Sequence, residues 1–218
     1  MVTKHEYKII LFDLDGTLTD PKLGITKSVQ YALKFYGIIE NNLDILEKFI
    51  GPPLKQSFMK YYNLNEKEAI KAIEIFREYF STKGLYENDI YPNIEKLLKN
   101  LVKKGNMLAV ATSKPTIFAK KILKHFKLDK YFKIVIGSNL DGSRVNKEEV
   151  IRYALKIMKI NEYDEVIMIG DRKYDILGAK EVGIHSVGVL YGYGSIKEIK
   201  QAKPDYIVKS VKELEKIL

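Results

Sequence analysis

The chain has 218 residues, 46% of them apolar, and a formal charge of +9, enough to build one large domain or a core domain with a smaller insert and too apolar for a disordered chain. It has no cysteine, which excludes disulfides, thiolate metal centres and cysteine nucleophiles; its three histidines, His5, His125 and His185, are too scattered for a His-rich zinc site. The lysines are spread over almost every expected helix, and pairs such as Lys103-Lys104 read as solvated faces, so we expect no nucleic-acid partner and a milder pull on anionic metabolites.

In chain order, the first element is the apolar run Ile9-Ile10-Leu11-Phe12, expected to be a short buried strand. From Thr19 to about Gly84 only helix-like segments follow. Ile25–Tyr36, Leu43–Ile50 and Leu54–Tyr62 have apolar residues at helical spacing, and Gly51-Pro52-Pro53 interrupts them. Asn65 with Glu68 predicts a capped helix whose stripe is Ala69, Ile73, Phe76 and Phe80. Tyr31, Tyr61 and Tyr62 are expected in the core of this helical block, which interrupts an α/β pattern and looks inserted.

From Tyr91 helices and strands alternate. Asn93 should start a helix carrying Leu97, Leu98, Leu101 and Val102, with Gly105 as its stop. A strand over Met107–Ala111 ends at Thr112-Ser113-Lys114, and Pro115 suits the first turn of a helix with Phe118, Ile122 and Phe126 inward. Ile134–Ile136 is a further strand; Asn146 with Glu149 predicts a helix to about Met158. The strand Val166–Ile169 ends at Gly170-Asp171, before a helix from about Asp175 to Val182. Strands Ser186–Leu190 and Tyr206–Val208 alternate with helices near Ile196 and Val211. This alternation implies parallel strands with right-handed crossovers, hence a doubly wound α/β core.

Three strands therefore end in reactive groups: Asp13 and Asp15, Thr112 and Ser113, and Asp171 with Asp175 four residues on. In parallel strands these ends share one edge of the sheet, where open α/β folds bind ligands. Asp13 and Asp15, two apart in extended chain, can face the same point; Gly16 turns the backbone away and Thr17 adds a hydroxyl. A polar turn closing a strand is the plainer account of the first cluster, and helix capping that of Asp171 and Asp175. Carboxylates from two strands suit a hard divalent cation with oxygen ligands, such as Mg²⁺.

Together, Asp13-Leu14-Asp15-Gly16-Thr17, Ala111-Thr112-Ser113-Lys114-Pro115, Lys147 and Gly170-Asp171-Arg172-Lys173-Tyr174-Asp175 resemble, in order and spacing, the four motifs of the haloacid dehalogenase-like hydrolases. The likeness is to their first subfamily, small phosphatases with a helical cap such as phosphoglycolate phosphatase, and it covers nearly the whole chain. It implies a Rossmann-like core of residues 1–18 and 86–218 and an inserted helical cap domain over 19–85. It also implies Asp13 as nucleophile, forming an aspartyl-phosphate, and Asp15 as general acid and base. Mg²⁺ would be held by Asp13, the carbonyl of Asp15 and Asp171. Gly16, Thr17, Thr112, Ser113, Lys114 and Lys147 would surround the phosphoryl group, and Asp175 would support Lys147 or a metal-bound water. From the cap, Pro52 and Lys55 resemble residues facing the substrate, although Gly51-Pro52-Pro53 also reads as an ordinary turn. Read without the resemblance, Lys147 is a lysine in a helix's first turn, against the helix dipole.

The need for cations follows from magnitude. A unit-charge pair at about 4 Å interacts by roughly 4 kcal/mol at an effective dielectric of 20, so a phosphate dianion approaching Asp13 meets about twice that in repulsion. Asp15 favours phosphoester chemistry, because relatives that cleave halides or phosphonates typically lack an acid there. The expected partner is a small phosphorylated metabolite: phosphoglycolate, a nucleoside monophosphate, a sugar phosphate or phosphotyrosine. A phosphosugar mutase of the same family and a non-catalytic, phosphate-binding regulatory protein are the alternatives. No apolar run approaches the roughly 20 residues of a membrane span, and Met1–Tyr7 is polar, without a signal peptide's hydrophobic region. The expectation is a soluble, cytoplasmic protein with no membrane partner, as a monomer or homodimer.

Overall fold

The computed structural model describes residues 6–218; His5 and the polar start before Glu6 lie outside the described residues. Contacts divide the chain into two compact units, one running to Thr19 and resuming over Ile90–Leu218, the other Asp20–Asp89. The strands, in chain order, are β1 (Ile9–Phe12), β2 (Thr19–Asp20), β3 (Asp89–Ile90), β4 (Met107–Pro115), β5 (Ile134–Ser138), β6 (Val166–Gly170), β7 (His185–Val189) and β8 (Tyr206–Val208). β2 and β3 pair with each other; the other six form one sheet in the order β5-β4-β1-β6-β7-β8.

Every pairing in that sheet is parallel. β1 lies in the middle, with Ile9 aligned to Met107 and Val166 and Phe12 to Val110 and Ile169. Strands covered on both faces need apolar residues at every position, which is why four in a row stand here instead of an alternating pattern. The remaining helices of this unit are α4 (Ile94–Lys103), α5 (Thr116–His125), α6 (Lys147–Met158), α7 (Lys173–Val182), α8 (Ile196–Ala202) and α9 (Val211–Ile217). Val150, Ile151 and Leu155 of α6 and Ala179 and Val182 of α7 pack on Ile9, Leu11, Ala109 and Met168.

The order of strands decides where a ligand can sit. From β1 the chain builds outward through β4 and β5, then crosses back and builds through β6, β7 and β8. Right-handed crossovers in opposite directions put their helices on opposite faces, so the connections part above the carboxyl end of β1. Asp13 stands at that crevice.

The unit of Asp20–Asp89 is helical: α1 (Lys22–Phe35), a 3₁₀ segment over Leu43–Phe49, α2 (Leu54–Tyr62), α3 (Glu66–Tyr79) and a π-helical turn over Phe80–Gly84. The cap of α3 forms as expected, the Glu68 amide donating to Asn65 Oδ1 at 3.0 Å and the Asn65 amide to Glu68 Oε2 at 2.8 Å. Phe49 packs against Phe58, Tyr61 and Tyr62. The described residues include no helix long and apolar enough to cross a membrane.

Local details depart from the sequence reading. The buried stripe of α3 is Ala69, Ala72, Ile75 and Phe76, with Ile73 at its half-buried margin. Val102 is exposed and Phe126 half-buried, each lying at the end of its helix where the apolar stripe has rotated off the core. Tyr31 is exposed, its ring tilted against Tyr79 rather than enclosed. Asn93 precedes α4 in the left-handed region, at φ 70°, and makes no side-chain cap; Asn146 precedes α6 without a side-chain cap either. β4 runs on to Pro115 through an irregular register between Ala111 and Pro115, so α5 starts at Thr116. α7 starts at Lys173, two residues early, because the Arg172 amide donates to Asp175 Oδ2 at 3.0 Å and closes its first turn.

Candidate active site

The Asp13 amide continues the ladder beyond β1, donating to the Ile169 carbonyl at 2.9 Å, so the backbone delivers this carboxylate to the crevice in a fixed place. Lys147, the first residue of α6, is buried, and its ammonium lies 2.9 Å from Asp13 Oδ1 and 2.7 Å from Asp175 Oδ1. It also donates to the Ala111 carbonyl at 3.1 Å. One cation thereby joins the ends of β1 and β4 to the first turn of α7. Asp175 both caps α7 and pairs with Lys147.

Asp13, Asp171 and Asp175 each turn a carboxylate oxygen to within 4.8 Å of the others, and all three are buried. The side chain of Asp15 is not in this group. It lies 2.7 Å from the ammonium of Lys114, with both side chains nearly buried. That pairing was not read from the sequence, which put Lys114 beside the phosphoryl group; an acid and a lysine at the ends of neighbouring strands were the available signal. Thr112 is buried and its hydroxyl accepts the Lys114 amide at 3.3 Å; Ser113 is half-buried beside it. Gly16 turns the chain at φ +80°, its amide donating to the Thr19 carbonyl at 2.8 Å. The Thr17 hydroxyl is buried and has no hydrogen-bond partner among the described residues.

Pro52 and Lys55 belong to the helical unit. Pro52 is half-buried in the turn before α2, and the Lys55 ammonium is ion-paired with Glu66, a partner the sequence reading did not provide for.

Four carboxylates, Asp13, Asp15, Asp171 and Asp175, thus face two ammonium groups, Lys114 and Lys147, leaving two negative charges in a buried space. Burial, more than that excess, sets the proton affinities. Burial, then the neighbouring charges of Asp175 and Asp13, push the Asp171 carboxyl well above its ordinary range. Burial raises Asp175 to about 6 despite Lys147, and raises Asp15 despite Lys114. Burial alone would lower Lys147, but Asp13 and Asp175 outweigh it and hold the ammonium charged. The buried Oδ1 of Asp171 also lacks a hydrogen-bond donor among the described residues. A divalent cation matches this donor set in charge and in oxygen chemistry.

One contributor to the site was missed. The loop after β7 brings the Tyr193 amide to Asp171 Oδ2, at 2.7 Å, and α8 brings Glu198 to Arg172 at 2.9 Å. The legible signal was position: β7 runs parallel beside β6, so the chain leaving it must pass Asp171.

A doubly wound parallel sheet with an acid-lined, lysine-bridged crevice over its central strand defines an α/β fold with a charged ligand site at its switch point. Comparison with known proteins narrows the class. The model of the haloacid dehalogenase-like hydrolase family matches residues 10–189. The chain is 48% identical to a 5'-nucleotidase of Pseudomonas aeruginosa over 97% of its own length and 96% of that protein. It is 30% identical to a phosphoglycolate phosphatase of Vibrio parahaemolyticus over 98% and 96% of the two chains. It is also 37% identical to the tyrosine-protein kinase PtkA of Mycobacterium tuberculosis, over 86% of this chain but 63% of that one. A crystal structure described as a predicted phosphatase from Clostridium acetobutylicum superimposes with a TM-score of 0.94 at 54% identity, covering 97% of each chain. This chain belongs to the haloacid dehalogenase-like hydrolases, as an enzyme of their phosphatase branch.

Proposed function

We propose that this enzyme is a divalent-metal-dependent phosphomonoesterase that hydrolyses a small phosphorylated metabolite through an aspartyl-phosphate on Asp13. The carrying observation is the place of Asp13: a buried carboxylate at the switch point of the sheet, 2.9 Å from the Lys147 ammonium and grouped with Asp171 and Asp175.

In this reading an oxygen of Asp13 attacks phosphorus, the bond from phosphorus to the leaving oxygen breaks, and Asp15 gives that oxygen its proton. Asp15 then takes a proton from the water that hydrolyses the acyl phosphate, returning Asp13 and releasing inorganic phosphate. A carboxyl group whose affinity for a proton is raised by burial suits both halves of that exchange. Lys147 offsets the charge gathering on the phosphoryl oxygens, and Asp175 keeps its ammonium aimed. Thr112, Ser113 and Thr17 would donate to the phosphoryl group, with Gly16 shaping the turn beside it and Lys114 acting through Asp15. Asp13, the carbonyl of Asp15 and Asp171 would hold Mg²⁺, which supplies charge neutralisation when bound. Pro52 and Lys55, of the helical unit, would contribute to substrate selection.

The full-length relative named a 5'-nucleotidase makes nucleoside 5'-monophosphates the first substrates to try. The test is phosphate release from these, phosphoglycolate, sugar phosphates and phosphotyrosine, with Mg²⁺ and with chelator. Metal-dependent release led by one nucleotide is expected. Equal release in chelator would remove the metal from the proposal, and no release from any member would remove the hydrolysis itself.

A further inference from the structure

We infer that the loop over Tyr191, Gly192 and Tyr193 is a positioning element for Asp171, holding one carboxylate oxygen so that the other is directed at a divalent cation shared with Asp13. The inference rests on the metal-dependent reading above and assigns this loop a part in it.

A carboxylate is planar, so fixing one oxygen fixes the direction of the other. The Tyr193 amide donates to Asp171 Oδ2 at 2.7 Å, while Asp171 Oδ1 has no hydrogen-bond partner among the described residues. Asp171 is 1% exposed, so water does not stand in for that partner in bulk. A buried carboxylate oxygen left bare is costly unless a proton or a cation meets it.

The fit around Asp171 has no slack. A Cβ placed on Gly192 would come within 2.2 Å of the Gly16 carbonyl oxygen and 2.5 Å of Asp171 Cβ. A Cβ on Gly16 would come within 2.2 Å of Asp171 Oδ2. The loop and the turn after β1 therefore close on the same carboxylate from two sides, with no room for one methyl group. Tyr191 joins them: its hydroxyl donates to the Thr17 carbonyl at 3.1 Å, and its ring meets Tyr91 edge-on at 5.0 Å between centroids. The loop thus ties Asp171, at the end of β6, to the turn that follows Asp13 at the end of β1, and a metal shared between the two acids depends on that tie.

An ordinary surface loop would show a different signature, because its loss would lower the stability of the metal-free protein and leave metal affinity alone. The test uses the full chain and Mg²⁺ as the probe, in native protein, Gly192→Ala and Tyr191→Phe. Titration calorimetry reads Mg²⁺ affinity, thermal melting in chelator reads the fold, and the Mg²⁺ dependence of turnover separates affinity from kcat. Gly192→Ala should bind Mg²⁺ about 10-fold or more weakly, as outer partners of metal ligands typically require. Tyr191→Phe, which removes one hydroxyl and keeps the ring, should weaken it a few-fold, and excess Mg²⁺ should restore kcat. Should Gly192→Ala not fold, Tyr191→Phe decides alone. Native affinity in a folded variant overturns the inference, even if its melting point has dropped. Native protein that binds no Mg²⁺ sinks the metal-dependent reading along with it, whereas native binding with unaffected variants sinks only the role of the loop.

Discussion

Replacing Lys147 with methionine tests the electrostatics of the site most directly. The side chain keeps its length and loses its charge, while Asp13 Oδ1 and Asp175 Oδ1, at 2.9 and 2.7 Å, lose their shared cation. Removing one partner of a buried ion pair typically costs about 3 to 5 kcal/mol, because the remaining charge stays buried and unpaired. In a chain of this length each kcal/mol moves the melting point by roughly 2 to 4 °C, so a drop of about 6 to 20 °C is expected in chelator at pH 7.5. The pH dependence is the sharper part. Asp175, already raised to about 6 by burial with Lys147 in place, must rise further without it. A folded-state pKa above the unfolded value means that the folded form takes up the proton more readily, so acidification to pH 5 should recover much of the lost stability. Melting curves at both pH values, against native protein in the same buffers, read the result. A melting point unchanged at pH 7.5, or a deficit no smaller at pH 5, would refute the argument that Lys147 compensates buried carboxylates.

The native protein in chelator should itself become more stable between pH 7.5 and about 5, since the raised carboxyls of Asp171 and Asp175 oppose folding only once ionised. Mg²⁺ should flatten that dependence; a metal-free melting point that declines steadily over the same range would contradict it. Asp13→Asn keeps the shape and removes the nucleophile, so turnover should fall by roughly 10⁴-fold or more while far-ultraviolet circular dichroism stays native. Substantial turnover in that variant would rule out the covalent route.

Much of this protein is legible from residue order because its strongest signals are local. Ile9–Phe12 reads as a buried strand, since a strand covered on both faces needs apolar residues running rather than alternating. Asn65 and Glu68 had to cap a helix, because their mutual bonds lie within one turn. Alternation of helix and strand after Tyr91 implies parallel strands, which puts Asp13, Thr112 and Asp171 on one sheet edge.

Tertiary structure decided how those groups pair. Lys114 pairs with Asp15, Lys147 bridges Asp13 and Asp175, and Lys55 is engaged by Glu66. Such choices depend on side-chain direction across neighbouring elements, which no spacing along the chain encodes. The same holds for the Tyr193 amide on Asp171: a backbone donor carries no residue signature, and 22 positions separate it from its acceptor. Sequence determined which acids meet at the end of β1, because strand direction is a property of the chain. Packing alone determined which of them pair with lysine, because charge compensation is settled between elements in a buried space.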